Sequence, residues 1–198
     1  VLSEYPPERL IPEPGMLPTE FQTVVAAAGS PEVRYHRNVT HHEKDRSRPY
    51  VWSDLTECIK CYRCVRACDE LQAEHVLGIY GRGDDSRIIK GFDQSFRDSP
   101  CVSCGACVQT CPTNALHDRY SVKTLKADRI VRTTCTYCGV GCNLDVKVAD
   151  GQVRGIQAPL YSATNRGHTC VKGRYAFEFY NHPERLRSPM VRKNGELQ

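Results

Sequence analysis

Cys58-Ile59-Lys60-Cys61-Tyr62-Arg63-Cys64-Val65-Arg66-Ala67-Cys68 and Cys101-Val102-Ser103-Cys104-Gly105-Ala106-Cys107-Val108-Gln109-Thr110-Cys111-Pro112 repeat one spacing, C-x2-C-x2-C-x3-C. Downstream, Cys135, Cys138 and Cys142 follow as C-x2-C-x3-C, and Cys170 is the last of the twelve cysteines. Every cysteine therefore falls into one of three sets of four, the ligand number of a cubane iron–sulfur cluster. The spacing predicts a chain carrying three [4Fe–4S] clusters.

A disulfide framework also uses an even cysteine count, but disulfides staple segments distant in sequence. Repeated two-residue gaps instead bend one loop around a single centre. Zinc is the stronger rival, because C-x2-C pairs serve zinc sites well. Zinc ribbons separate two such pairs by a longer stretch, whereas each run here places four cysteines within eleven residues. The third set is the one open to a zinc reading, since Cys170 lies 28 positions beyond Cys142.

In two-cluster ferredoxins the fourth cysteine of each run ligates the other run's cluster. Applied here, Cys58, Cys61 and Cys64 share a cubane with Cys111, and Cys101, Cys104 and Cys107 share one with Cys68. Cys64 and Cys68 are four apart, neighbours on a helix, so crossing obliges the two clusters to sit side by side. Pro112 turns the chain after the second run. Asp69 stands at the same place in the first, where the helix can continue through Asp69-Glu70-Leu71-Gln72.

At 198 residues, 40 % hydrophobic and with one Trp, one or two domains with small cores are expected. Clusters would then contribute part of the folding energy. The formal charge of +4 suggests nucleic acid at first sight. Each [4Fe–4S] core with four thiolates carries about −2, taking the loaded chain to about −2, so the basic residues are mostly local compensation. So many reduced thiols imply a reducing compartment. No apolar run approaches about 20 residues, and no signal peptide or twin-arginine leader is visible. The expected location is cytoplasmic.

Residues 1–50 lack cysteine, and their prolines (Pro6, Pro7, Pro12, Pro14, Pro18) predict an extended, irregular segment. Thr23–Ala28 reads equally as a short helix or a strand. His36, His41 and His42 read as solvated surface histidines. Residues 51–120 form the two-run unit. Val76–Tyr80 and Arg87–Ile89 flank the turn residues Gly81–Ser86, which predicts a hairpin insertion. Residues 121–132 read as a linker, and 133–198 as a second unit. There Leu144, Val146 and Val148 alternate with polar neighbours, Asp150-Gly151 is a hairpin signal, and Val153 and Ile156 lie on the return strand. That excursion brings Cys170 back beneath the loop of Cys135, Cys138 and Cys142. The fold class is α+β.

Thr134-Cys135-Thr136-Tyr137-Cys138-Gly139-Val140-Gly141-Cys142, with Asn165-Arg166-Gly167-His168-Thr169-Cys170-Val171-Lys172-Gly173-Arg174, resembles the first domain of molybdopterin- or tungstopterin-dependent oxidoreductases, above all formate dehydrogenases. The preceding unit, with Cys101-Val102-Ser103-Cys104-Gly105-Ala106-Cys107, resembles the ferredoxin-like unit of cytoplasmic NAD-dependent formate dehydrogenase large subunits. The resemblance spans about residues 50–198. It implies a two-cluster ferredoxin-like domain followed by a small β-rich [4Fe–4S] domain that opens the catalytic region. It also implies a Mo- or W-bis(pterin guanine dinucleotide) bound mainly beyond Gln198, and a flavin/iron–sulfur NAD-reducing partner. Cys135, Cys138, Cys142 and Cys170 match the ligands of the cluster nearest the pterin, and Lys172 matches the family lysine between that cluster and the pterin edge. The family's metal ligand and His–Arg pair would also lie beyond Gln198, so this stretch carries electrons and holds no formate-oxidising residue. A stand-alone polyferredoxin, or the same segment of an assimilatory nitrate reductase, is the alternative.

Overall fold

Thr19 and Gln22 decide how the first fifty residues fold. The computed structural model describes residues 1–29, 32–34 and 39–197. Thr19 Oγ1 accepts from the Gln22 amide at 3.2 Å and Gln22 Oε1 accepts from the Thr19 amide at 2.8 Å. This reciprocal cap satisfies two otherwise unpaired donors and starts a helix, α1 (Glu20–Ala27). The expected extended segment is thus corrected. Pro6 and Pro7 lead into a 3-10 turn over Pro7–Arg9, where a proline's fixed φ suits the first helical positions, and Thr23–Ala27 is helical. Tyr5 is buried against Phe21, with ring centroids 4.9 Å apart. The Phe21 amide donates to Pro112 O and the Leu17 amide to Thr124 O, so this segment braces the second run. His41 is exposed and His42 half-buried; His36 lies outside the described residues.

Strand β1 (Val51–Ser53) precedes the first run. Both runs then turn alike. A left-handed residue stands two positions after the first cysteine, Lys60 (φ 53°) and Ser103 (φ 55°). Another caps the helix that follows, Tyr62 (φ 59°) before α2 (Arg63–Arg66) and Gly105 (φ 75°) before α3 (Ala106–Thr110). α2 continues into a π-helical turn, Ala67–Leu71, that carries Cys68 past Asp69. Between the runs, β2 (Leu77–Tyr80) and β3 (Arg87–Lys90) pair antiparallel, forming the hairpin insertion. After α3, β4 (Leu116–Asp118) pairs antiparallel with β1 and closes the unit. One core joins Val51, Val76, Leu77, Ile88, Phe96, Val108 and Leu116 to the buried cysteines of both runs.

The stretch expected as a linker is partly sheet. β5 (Arg129–Thr134) pairs antiparallel with β6 (Asn143–Ala149), which pairs with β7 (Gln152–Gln157). Asp150 and Gly151 both have positive φ (51° and 69°), the geometry of a tight two-residue hairpin. Val148 faces Val153 while Lys147 faces Gly155; the extra residue, Arg154, is a bulge, which is why the alternation breaks there. Lys147, expected on a polar face, is buried, and its Nζ donates to Val122 O at 2.6 Å. The segment before β5 covers that face, so alternation in one strand does not reveal which face meets solvent. Two short helices follow, α4 (Val171–Tyr175) and α5 (Glu178–Asn181), then a hairpin of β8 (Arg192–Lys193) and β9 (Glu196–Leu197). Tyr175 of α4 enters the first unit's core and stacks on Tyr50, centroids 4.8 Å apart. No helix among the described residues is long and apolar enough to cross a membrane.

Candidate iron–sulfur centres

Cys64 and Cys68 lie on consecutive turns of one helix, yet their thiols line different cavities. Cys58, Cys61 and Cys64 line a cavity whose fourth thiol is Cys111. Cys101, Cys104 and Cys107 line another, whose fourth thiol is Cys68. Leu55, Ile59 and Ile88 complete the first wall, and Val51, Leu77 and Phe96 the second. The thiols ring these spaces without converging on a point. Among the described residues, no three His, Cys, Asp or Glu side chains are grouped as ligands of a single ion. Four thiols around an apolar space fit a compact multi-atom core.

The backbone supplies donors to the sulfurs in matching places. The Lys60 and Ser103 amides point at Cys58 Sγ and Cys101 Sγ, and the Val76 and Leu116 amides at Cys68 Sγ and Cys111 Sγ, each at 3.4 Å. Such bonds favour a thiolate and are among the levers that set a cluster's potential. Burial pushes the bare thiols the other way. It raises Cys58 to about 11, and raises Cys64 and Cys107 further still, with neighbouring cysteines adding to the rise. Burial thus opposes thiolate formation at these three positions in an unfilled cavity, and filling it supplies the cationic iron that reverses the balance. Lys123 Nζ donates to the Cys111 backbone carbonyl, adding a cation beside the first cavity.

The third set is gathered at one end of the three-stranded sheet. The Cys135 amide donates to Cys142 O at 2.7 Å where β5 and β6 end, and Cys170 is the N-cap of α4. Cys142 is raised by burial and then by Cys135, with Cys138 and Cys170 also close enough to act on it. Cys135 is buried, whereas Cys138 and Cys170 are exposed, so this site opens on the surface. Lys172, one residue into α4, is exposed on the same helix end.

Sequence reasoning left without a role the residues that return Cys170. Asn165 Oδ1 accepts from the Asn143 amide at 2.9 Å, while its Nδ2 donates to Asn143 O at 3.1 Å and His168 O at 2.6 Å. Ser162 Oγ lies 2.8 Å from Asn143 Oδ1 and 2.7 Å from Asn165 Oδ1. This knot ties the Cys170 loop to the residue after Cys142, and no spacing rule signals it. Asn165→Ala is expected to cost about 2–4 kcal/mol, from several lost bonds and the partners left unpaired. It should lower iron content at the third site alone. Denaturant titration and metal analysis check this, and full iron with unchanged stability would show the knot to be dispensable.

Arg174 was also unassigned. It is 1 % exposed, its Nε donates to Cys104 O at 3.0 Å, and its Nη1 donates to Gln109 Oε1 at 2.9 Å. α4 thus begins at a cysteine of the third set and ends on the loop of the second.

Residues 128–182 match the molybdopterin oxidoreductase Fe4S4 domain, and residues 48–117 the ferredoxin-like domain of NADH-quinone oxidoreductase subunit 3. "Putative formate dehydrogenase SH0748" of Staphylococcus haemolyticus (strain JCSC1435) is 31 % identical, over 90 % of this chain and 22 % of its own length. An NADH-quinone oxidoreductase subunit of Rhizobium meliloti (strain 1021) is 33 % identical, over 90 % of this chain and 21 % of its own. The chain spans about a fifth of the length of these curated relatives. The solved structure of an NAD+-reducing [NiFe]-hydrogenase in the H2-reduced state aligns over 51 % of this chain and 43 % of that one, with 26 % identity and a TM-score of 0.46, a likeness too partial to bear on function. The chain thus holds a ferredoxin-like domain of the NADH-quinone oxidoreductase subunit 3 type over residues 48–117 and a molybdopterin oxidoreductase Fe4S4 domain over residues 128–182.

Proposed function

We propose that this chain is the electron-relay segment of a molybdopterin- or tungstopterin-dependent formate dehydrogenase. Three [4Fe–4S] clusters are held by Cys58, Cys61, Cys64 and Cys111, by Cys68, Cys101, Cys104 and Cys107, and by Cys135, Cys138, Cys142 and Cys170. The observation that carries the reading is the division of the eight cysteines of the two runs between two apolar cavities, four thiols each, with the fourth thiol exchanged. When bound, such clusters are one-electron carriers in series. The chain's own part is to hold them at fixed separation, with α4 tying the third site to the loop of Cys104. Electrons enter at the open third site, where Lys172 offers an ammonium to the pterin edge, and leave from the ferredoxin-like domain towards an NAD-reducing partner in the cytoplasm. The pterin and its metal are bound by parts of the enzyme outside this chain.

Metal analysis of anaerobically purified protein tests the cluster count. About 12 iron and 12 inorganic sulfide per chain are expected. Stoichiometric zinc with about 8 iron would remove the third cluster from the proposal.

Entry at Lys172 has its own test. In the complete enzyme Lys172→Ala should keep its iron and pterin, while cluster bleaching on rapid mixing with formate slows at least tenfold. Lys172→Arg should recover little, because a guanidinium fork is not a compact ammonium. An unchanged bleaching rate would make Lys172 a surface charge. The match to an NADH-quinone oxidoreductase subunit favours a second reading, in which the same clusters serve an enzyme without formate chemistry. In that case formate would bleach no cluster even in the unaltered enzyme.

A further inference from the structure

We infer that Arg174 is a potential-setting residue: its buried guanidinium holds the cluster of Cys68, Cys101, Cys104 and Cys107 at a higher reduction potential than its thiolate shell alone would give. The inference rests on the cluster assignment above and concerns the step from the third site into the paired cubanes.

A buried charge is costly unless something compensates it, and Arg keeps its charge at any physiological pH. Arg174 is among the most deeply buried side chains of the chain. Its two hydrogen bonds go to neutral acceptors, Cys104 O and Gln109 Oε1, and its Nη2 has no partner. No carboxylate among the described residues pairs with it. Asp118, also buried, is near enough to feel its charge, but Asp118 Oδ1 is committed to the Tyr120 and Val122 amides at 3.0 and 3.1 Å, and its Oδ2 is unpartnered. Lys123, the cation at the other cavity, has Cys111 and then the Glu20 carboxylate acting on it. What remains to balance Arg174 is the shell of thiolates at Cys104, whose backbone it grips. A [4Fe–4S] core with four thiolates carries about −2 and becomes about −3 on taking one electron. A fixed cation favours the more negative, reduced form.

The placement also gives the charge a use. α4 links Cys170 directly to the Cys104 loop, so the cubane of Cys68, Cys101, Cys104 and Cys107 is the first that an electron leaving the third site meets. A raised potential there draws the electron forward. A unit charge roughly 10 Å away, at an effective dielectric constant of about 20, shifts a one-electron equilibrium by about tenfold.

The test is an anaerobic redox titration of the intact iron-loaded protein, poised with dithionite and mediators and read by EPR. In Arg174→Met the reduced-to-oxidised ratio of one cluster, at the wild-type midpoint, should fall about tenfold, equivalent to about 59 mV for one electron. Arg174→Lys should stay within about threefold of wild type. An unmoved midpoint in the Met variant would overturn the inference, as would a Lys variant that shifts as far as Met, since the effect would then be packing. If Arg174→Met does not load iron, Asp118→Asn decides: removing the opposing carboxylate should raise the same midpoint, and no rise would overturn the proposal. Failure of the cluster assignment looks different, because the unaltered protein would then lack this cluster's EPR signal altogether.

Discussion

Cys68→Ala is expected to strip iron from the cavity of Cys101, Cys104 and Cys107 and to leave the cavity of its own run filled. Iron should fall from about 12 to about 8 per chain, one cubane. Cys111→Ala should do the converse. Single variants report only how much is lost, so pairs are needed to show where. Cys68→Ala with Cys101→Ala removes two thiols from one crossed cavity and should keep about 8 iron. Cys68→Ala with Cys58→Ala removes one thiol from each cavity and should keep about 4. Reversal of these two numbers would mean that each run holds its own cluster. The physical warrant is that a buried site with three thiols cannot satisfy the fourth iron, and that unfilled the cavity is an apolar void that collapses or admits water. Because cluster binding is folding energy, each pair should also lower the denaturation midpoint in proportion to the iron lost.

Much of this was legible in the sequence because spacing constrains geometry within a few residues. Two-residue gaps fix which thiols share a loop, and the four-residue step from Cys64 to Cys68 fixes which turn each occupies. The Asp150-Gly151 turn and the hairpin between the runs were equally local. Most of what escaped was non-local. The Thr19–Gln22 capping box is the exception, a local signal that was there to be read, but five prolines outweighed it. The burial of Lys147 depends on a segment 25 residues earlier lying over its face. The Asn143–Ser162–Asn165 knot and the grip of Arg174 on Cys104 join side chains far apart in sequence, and one sequence offers no way to pair them. Cys138 and Cys170 were expected as ligands, but only the fold shows that theirs is the open site.

Gly105→Ala should be a strongly destabilising single-methyl change. Gly105 sits at φ 75°, where an L-residue costs about 1–2 kcal/mol. A Cβ there would lie 2.5 Å from both Arg174 Cδ and Tyr175 Oη, side chains at most 2 % exposed. Overpacking of that kind adds about 1–3 kcal/mol, so a loss of about 2–5 kcal/mol is expected in denaturant titration. The matching position of the first run is Tyr62, at φ 59°. The repeat therefore tolerates a side chain in this backbone conformation, and what forbids one at Gly105 is α4 packed over the second run alone. The cost should fall on docking of the second unit: Gly105→Ala should slow electron transfer from the third site to the paired cubanes even where iron content is complete. Tyr175→Phe supplies the check, since it removes one of the three clashing atoms and a hydroxyl that has no partner. Alone it should be close to neutral, and combined with Gly105→Ala it should recover about 1 kcal/mol. Wild-type stability in Gly105→Ala would show that α4 yields easily, and that contact between the two units is looser than this packing implies.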